Sequence, residues 1–289
     1  RSEKGTMLTQ DEEIYIFENA YIPEHIVSLM SILSKGEPFL TDDYVYYIKD
    51  DLAILIGYPL KEEFSLNHFE GFVKSLMKSI PCKYFRMAAP QLPEVFLKRS
   101  TNSSSDEYFI LPLEKFHIKG SLRREVEKTL SVVEVERGRV IDEGHTMLIN
   151  EMLERVKPDE RIEKLYLSMT DYVRKSDTAL VLNAKDSEGR LVAFYILELA
   201  AKHFISYLLG CHSKRHYISH ASDVLFFELI NVAKEQMKGC INLGLGVNSG
   251  IVRFKKKWGG IPYMRYEFCE YAKTRFRIFP FIDPLELKP

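Results

Sequence analysis

The sequence predicts an α/β protein of the α+β kind, built from two units, each a mixed and mostly antiparallel sheet flanked by helices. Three observations carry that reading. Segments with apolar residues at helical spacing alternate with short apolar runs of strand length. Polar turns, at Asp50 and Asp51 and across KDSEGR (185–190), join some strands as hairpins, whereas other strands are separated by a helix and need a crossover. One low-complexity stretch, RSTNSSSDEY (Arg99 to Tyr108), divides the chain as a linker or exposed loop. A chain of 289 residues, 46% hydrophobic and 28% charged, is long enough and ordinary enough in composition to bury two cores.

The first unit is expected over residues 7–105. IPEHIVSLMSILSKG (22–36) carries Ile26, Leu29, Met30 and Leu33 on one helical face, with Gly36 as a stop. YVYYIKDD and LAILIGYP read as two strands. NHFEGFVKSLMKSIP is an amphipathic helix ended by Pro81, and KYFRMAA is a strand. The order is α–β–β–α–β.

The second unit is expected over 106–289. YFILPL is a strand and KGSLRREVEKTLSVVEVER (119–137) carries a helix. Helices over 142–156 and 161–175 follow, interrupted at Pro158. Strands over 178–183 and 191–199 form a hairpin, and HFISYLLGCHS is the next strand. A helix over 222–238 with Gly239 as its C-cap, a strand over 240–247, a short helix and a strand over 263–270 complete the order. Strands on either side of a crossover helix, combined with hairpins, give a mixed sheet with helices on both faces.

Several function classes are excluded or disfavoured. The formal net charge of −1 is not the electrostatic footprint of a DNA-binding protein, so any anion site is local. No apolar run approaches the ~20 residues of a membrane span, and the start lacks the apolar core of a signal peptide, so a cytoplasmic location is expected. Cys82, Cys211, Cys240 and Cys269 are widely spaced, with no C-x-x-C pair and no zinc-type spacing to His. They read as reduced thiols, and no metal is expected.

The segment INLGLGVNSGIVRFKKKWGG (241–260) carries a resemblance. A strand of alternating apolar residues reaches Val247, Asn248 follows, Ile251 and Phe254 lie on a short helix, and Gly259 precedes the last strand. With the long helix HASDVLFFELINVAKEQMKG before it, this pattern resembles the GCN5-related N-acetyltransferase (GNAT) fold. FKKKWGG after N-x-G-I is similar to the F-K-x-x-[FW]-G-G ending of Fem-type GNAT-like acyltransferases, and SLRREVEK is similar to a basic helix start in that group. The motifs cover roughly residues 108–272, and the first unit matches by element order alone. The resemblance implies two GNAT-like units and transfer of an acyl or aminoacyl group from acetyl-CoA, another acyl-CoA or aminoacyl-tRNA to a small-molecule or peptide amine. The alternative is a non-catalytic GNAT-like domain that binds a ligand or protein. Two features depart from the pattern. The glycine-bearing phosphate loop of CoA-dependent members is replaced by SKRHYISHASD (213–223), which has no glycine. RFKKKW offers no Tyr where many members place a general acid.

The candidate site residues follow. The resemblance puts a base at Glu198, at the end of VAFYILELA, where desolvation would raise its pKa; an edge position facing solvent fits the alternation equally. His212 stands where a strand should open onto the site, either as a proton-transfer group or as a plain loop residue. Cys211 and His212 point to opposite faces of a strand, which argues against a dyad. Ser219, His220, Ser222 and Asp223 open the long helix as caps, as an anion cradle, or as both, with Lys214 and Arg215 adding charge. Asn248 is a turn residue or a hydrogen-bonding partner for the donor arm. In the basic run, Arg253 and Lys257 share one face and Phe254 and Trp258 an inward one. The lysines read as mostly outward, with Lys257 the candidate phosphate contact.

Overall fold

The structure, a computed structural model, describes residues 8–158 and 160–273. It divides into two compact units, with the cut between Tyr108 and Phe109, and the last strand from Tyr263 groups with the first unit. The expected boundary at 105/106 lies three residues away. The expectation that everything beyond it forms one domain differs at that last strand.

In chain order, helix α1 spans Gln10–Asn19, started by a capping box between Thr9 and Glu12. A 3₁₀ turn over Pro23–His25 leads into α2, Val27–Ser34. The helix expected over 22–36 is therefore shorter, and it ends through Lys35 in the left-handed region (φ 55°) rather than at Gly36. Strands β1 (Glu37–Thr41), β2 (Tyr44–Lys49) and β3 (Leu52–Ile56) are hairpin-linked. Helix α3 (Leu66–Ser79), capped by the Ser65 hydroxyl, leads to β4 (Tyr84–Ala89), the short α4 (Glu94–Leu97) and β5 (Asn102–Pro112). The stretch expected as a linker is thus the first half of β5. Its Ser and Thr residues pair with a neighbouring strand, the Thr101 N–H donating to the Glu270 carbonyl at 2.9 Å and the Ser105 hydroxyl to Glu267 at 2.9 Å.

Helix α5 (Gly120–Leu130) ends earlier than expected, because Val133 and Val135 alternate in a strand, β6 (Val133–Gly138). Helices α6 (Glu143–Val156) and α7 (Glu160–Lys175) precede β7 (Ala179–Asp186), β8 (Leu191–Glu198) and β9 (Phe204–His212). Helix α8 (Ala221–Glu235), β10 (Cys240–Leu245), α9 (Ser249–Lys257) and β11 (Ile261–Ala272) complete the chain. Gly239 is not the cap of α8: the helix stops at Gln236, and Met237 takes the left-handed conformation.

Within the first unit the strand order is β1-β2-β3-β4-β11, with Asn102–Tyr108 of β5 beside β11. The β3–β4 pair is parallel and joined by α3; the others with a described register are antiparallel. Its core is aromatic, with Tyr44, Phe69, Phe72 and Phe85 buried together. Within the second unit the order is β10-β9-β8-β7-β6, with Phe109–Pro112 of β5 beside β10. Here β9–β10 is the parallel pair and α8 the crossover. Alternation separates its faces. Leu182, Tyr195 and Leu197 pack with α5 and α8, whereas Asn183, Phe194 and Glu198 meet His145 of α6 or Tyr172 of α7. Each unit is therefore a mixed sheet with helices against it, as expected. No helix among the described residues is long and apolar enough to cross a membrane.

Candidate functional site

The parallel ladder between β9 and β10 holds three residue pairs, from Phe204↔Cys240 to Ser206↔Asn242, and then stops. The backbone explains the stop. The Gly244 N–H donates to the Asn242 side-chain oxygen at 2.9 Å, with Gly244 at φ 70°, so it is turned away from a strand neighbour. Two residues on, the Asn248 N–H closes onto the Gly246 carbonyl at 2.7 Å, with Val247 between them at φ 63°. A β-branched residue there is strained, and such strain concentrates at functional sites. This turn also ends β10 at Leu245, two residues short of the expected 247. Asn248 then caps α9, accepting from the Gly250 and Ile251 N–H groups at 3.0 Å each.

Where the two strands part lies a cleft of about 330 Å³. Tyr207, Gly210 and His212 of β9 and Leu243 of β10 line it, with Ser222 and Phe226 of α8, residues of α9 from Asn248 to Lys255, and Arg155 of α6. Gly210 is required there: a Cβ would overlap the Tyr207 hydroxyl and meet the Tyr195 ring at 2.9 Å. The two tyrosine rings cross edge to face at 4.8 Å, and the Tyr195 hydroxyl donates to the Ser222 carbonyl at 2.8 Å. Burial holds both phenols far above their ordinary pKa, so both stay protonated donors.

Two cations reach the cleft. Lys255 is 2% exposed and its ammonium donates to the Leu245 carbonyl, 5.7 Å above the Phe109 ring. The expectation that the lysines of α9 face mostly outward fails at this residue, since α9 turns its 251, 254 and 255 positions to the cleft. Arg155 donates to His212 Nε2 at 3.3 Å. Arginine cannot accept, so Nε2 carries the lone pair. Burial first, and the Arg155 charge second, lower the His212 pKa below the ordinary 6.5 against a small opposing pull from Glu151. His212 is therefore a neutral imidazole at neutral pH.

No family model matches this sequence, and no curated protein does. Solved structures do match. FemX superposes with a TM-score of 0.61 at 12% identity, covering 93% of this chain and 97% of its own. L-PGS from Bacillus licheniformis gives 0.53 at 18%, covering 95% of each chain. A GCN5-related N-acetyltransferase from Kribbella flavida gives 0.52 at 10%, covering 84% and 92%. The chain has the GNAT-like fold. At these identities, 10–18%, the likeness is one of fold.

On this GNAT-like framework the expected site residues separate. His212, Ser222 and Asn248 line the cleft. Glu198 does not. It pairs with Ser206, whereas His212 lies six residues further along β9, roughly 20 Å away at ~3.3 Å per residue. Glu198 is fully buried on the face opposite Tyr207, held by the Tyr172 hydroxyl and by the Ala200 N–H at 2.6 Å. Burial pushes its pKa up to about 7, against the Ala200 and Leu199 N–H groups and the Lys238 charge. The raised pKa anticipated from sequence is present, but away from the cleft.

The start of α8 also differs from expectation. Its cap is His220 at φ 63°, without a side-chain cap bond, and not Ser219 or Ser222; Ser219 is exposed and off the cleft. Asp223, 4% exposed, gathers the local donors: His220 Nδ1 at 2.8 Å, Trp258 Nε1 at 2.9 Å and Lys257 Nζ at 2.6 Å. The lysine expected to meet a phosphate is thus neutralised by the chain itself. Trp258 is buried as expected, and Phe254 is half-buried. Cys211 is buried, with its thiol pushed up to about 12 by that burial, which suits an inert residue. Sequence reasoning missed Arg155, Tyr195 and Lys255. Only the inward phase of α9 (254 and 258 inward, 255 beside them) could have pointed to the last.

Proposed function

We propose that the second unit transfers an acyl or aminoacyl group to a small-molecule or peptide amine within the cleft between β9 and β10. The observation that carries this reading is the parting of the two strands after Ser206 and Asn242. Beyond that point the two strands no longer pair with each other and flank an apolar slot, which suits an extended donor arm. The carbonyl to be attacked would lie near Lys255 and the Tyr207 hydroxyl. A desolvated ammonium and a permanently protonated phenol would stabilise the oxyanion that develops during aminolysis. Neutral His212 is the proton acceptor this arrangement supplies, once Arg155 turns to an incoming anionic group. Asn248, already spent on two N–H groups of α9, shapes the cleft mouth, and Ser222 supports Tyr195 through its carbonyl.

The donor is an acyl-CoA or an aminoacyl-tRNA; both present an activated carbonyl at the end of an extended arm. The test is transfer of labelled acyl groups from acetyl-CoA and of labelled amino acids from charged tRNA to a panel of amines. We expect transfer from one donor, and its loss in Lys255→Met. If neither donor supports transfer and neither protects the protein against thermal unfolding, the reading falls. A non-catalytic ligand-binding role then stands, favoured by the charges at the start of α8, which are satisfied internally.

A further inference from the structure

The loop between β9 and α8 begins where the cleft ends, at His212. Its opening residues present donors toward α6: the Lys214 N–H donates to a Glu151 carboxylate oxygen at 2.8 Å and the Ser213 hydroxyl to the same oxygen at 3.2 Å. The Arg215 charge also acts on this carboxylate. Ser213 also accepts from the His216 N–H at 3.0 Å, which fixes the loop around the carboxylate. A backbone N–H and a hydroxyl converging on one oxygen, with Lys214 and Arg215 side chains beside them, form a place that attracts phosphate and other anions. Here the anion comes from the chain. Burial works to raise the Glu151 pKa, but the N–H groups of Lys214 and Arg215, the Ser213 hydroxyl and the Arg215 charge outweigh it and hold the carboxyl below its ordinary range. It is ionised at neutral pH.

Around this contact runs an open groove of about 760 Å³, lined by Glu151, Glu154, Arg155, Lys214 and Arg215. Arg155 lines both this groove and the cleft, so the two adjoin at that side chain. Three cations against two carboxylates make the groove attractive to a weakly charged tail. A multiply charged one would have to displace Glu151 from the N–H groups it holds and face its repulsion.

We propose that Glu151 is a specificity-determining residue that excludes pyrophosphate-bearing donors, by occupying the anion position of the β9–α8 loop. The inference rests on the cleft being the donor site, but its test does not need turnover. Inorganic pyrophosphate and CoA are titrated calorimetrically into the wild-type chain, Glu151→Gln and Glu151→Ala, each first shown to melt cooperatively. Glu151→Gln keeps an acceptor for the Lys214 N–H while removing the charge, so one correctly folded variant remains if Glu151→Ala unravels the loop. We expect no saturable pyrophosphate binding to the wild type. In the variants we expect a gain of roughly tenfold or more in affinity, weakened by salt, because both remove the repelling carboxylate and Glu151→Ala also frees the Lys214 N–H for a charge-assisted bond. A residue that merely braced the loop would yield losses only. Wild-type binding of pyrophosphate as tight as that of the variants, or no gain in either variant, overturns the proposal. A wild type inactive toward every donor leaves this outcome readable, since binding alone is measured.

Discussion

The two units contain the same local device, a parallel strand pair joined by a crossover helix, and use it to opposite ends. In the first unit β3 and β4 pair along all five residues of β3, and the Gly57 N–H extends the ladder to the Ala88 carbonyl at 2.7 Å. The seam is packed shut: a Cβ on Gly57 would meet both Ala89 and Phe69 at 2.6 Å. In the second unit β9 and β10 pair over three residues before Asn242 takes the Gly244 N–H for itself. The same topology therefore gives a core in one place and a cleft in the other. Register length decides which, through one side-chain oxygen that competes with the ladder.

The largest effect is expected on the other side of β4 from the closed seam, where β4 pairs with β11. Arg86 on β4 is 2% exposed and its Nε donates to Glu270 at 3.0 Å. Arg86→Met strands a buried carboxylate and should lower stability by about 3–5 kcal/mol, read from chemical denaturation. A loss under about 1 kcal/mol would mean that the β4–β11 pairing does not depend on that bridge.

The next effect belongs to Glu198, a carboxyl whose folded pKa of about 7 lies above the usual carboxylate range. From about pH 4.5 to 7 the folded chain keeps a proton that the unfolded chain has released. Stability should therefore fall as pH rises through that window, by roughly 3 kcal/mol in full, and stay low above it. Glu198→Gln should flatten that dependence and leave transfer intact. Turnover reduced tenfold at equal folded fraction would instead return Glu198 to the chemistry.

In the open seam, Lys255→Met keeps length and apolar bulk while removing the ammonium. A drop of roughly 10²-fold in kcat with little change in KM is expected if the lysine acts on the developing oxyanion. A rise in KM alone would assign it to donor binding.

The smallest effects come from the paired glycines. Gly57→Ala should cost about 1–3 kcal/mol with no effect on ligand binding, because it overpacks a closed seam. Gly210→Ala should cost less stability but push Tyr207 into the cleft and abolish donor protection in thermal-shift measurements. Equal behaviour of the two variants would erase the distinction drawn between the seams.

Much of this architecture was legible in the residues. The amphipathic spacing of 66–79 and the apolar runs at 44–56 specify their elements locally, because one buried stripe or face suffices to choose helix or strand. The ending FKKKWGG pointed correctly to the GNAT-like fold. The stretch 99–108 was misread as a linker because Ser and Asn suit turns and exposed strands alike, and only a neighbouring strand decides between them. Val133 to Arg137 was grouped with the preceding helix because the alternation of Val133 and Val135 is too short to decide alone, and pairing with β7 settles it.

For the site, sequence alone placed His212 and Asn248 at a strand end and at a turn, and both line the cleft. It also read the glycine-free loop at 213–223. What it could not place was the end of β8 at which Glu198 would work, since alternation gives the face of a residue but not its distance from a partner on another strand. Nor could it find Arg155 and Glu151 as partners, or the Lys257 and Trp258 contacts of Asp223, because these join groups dozens of residues apart in sequence. Chain-local periodicity determined the elements, the order and the fold. The cleft, the buried Lys255 and the donors gathered by Glu151 and Asp223 were decided by tertiary structure, because hydrogen-bond competition and desolvation exist only once distant segments meet.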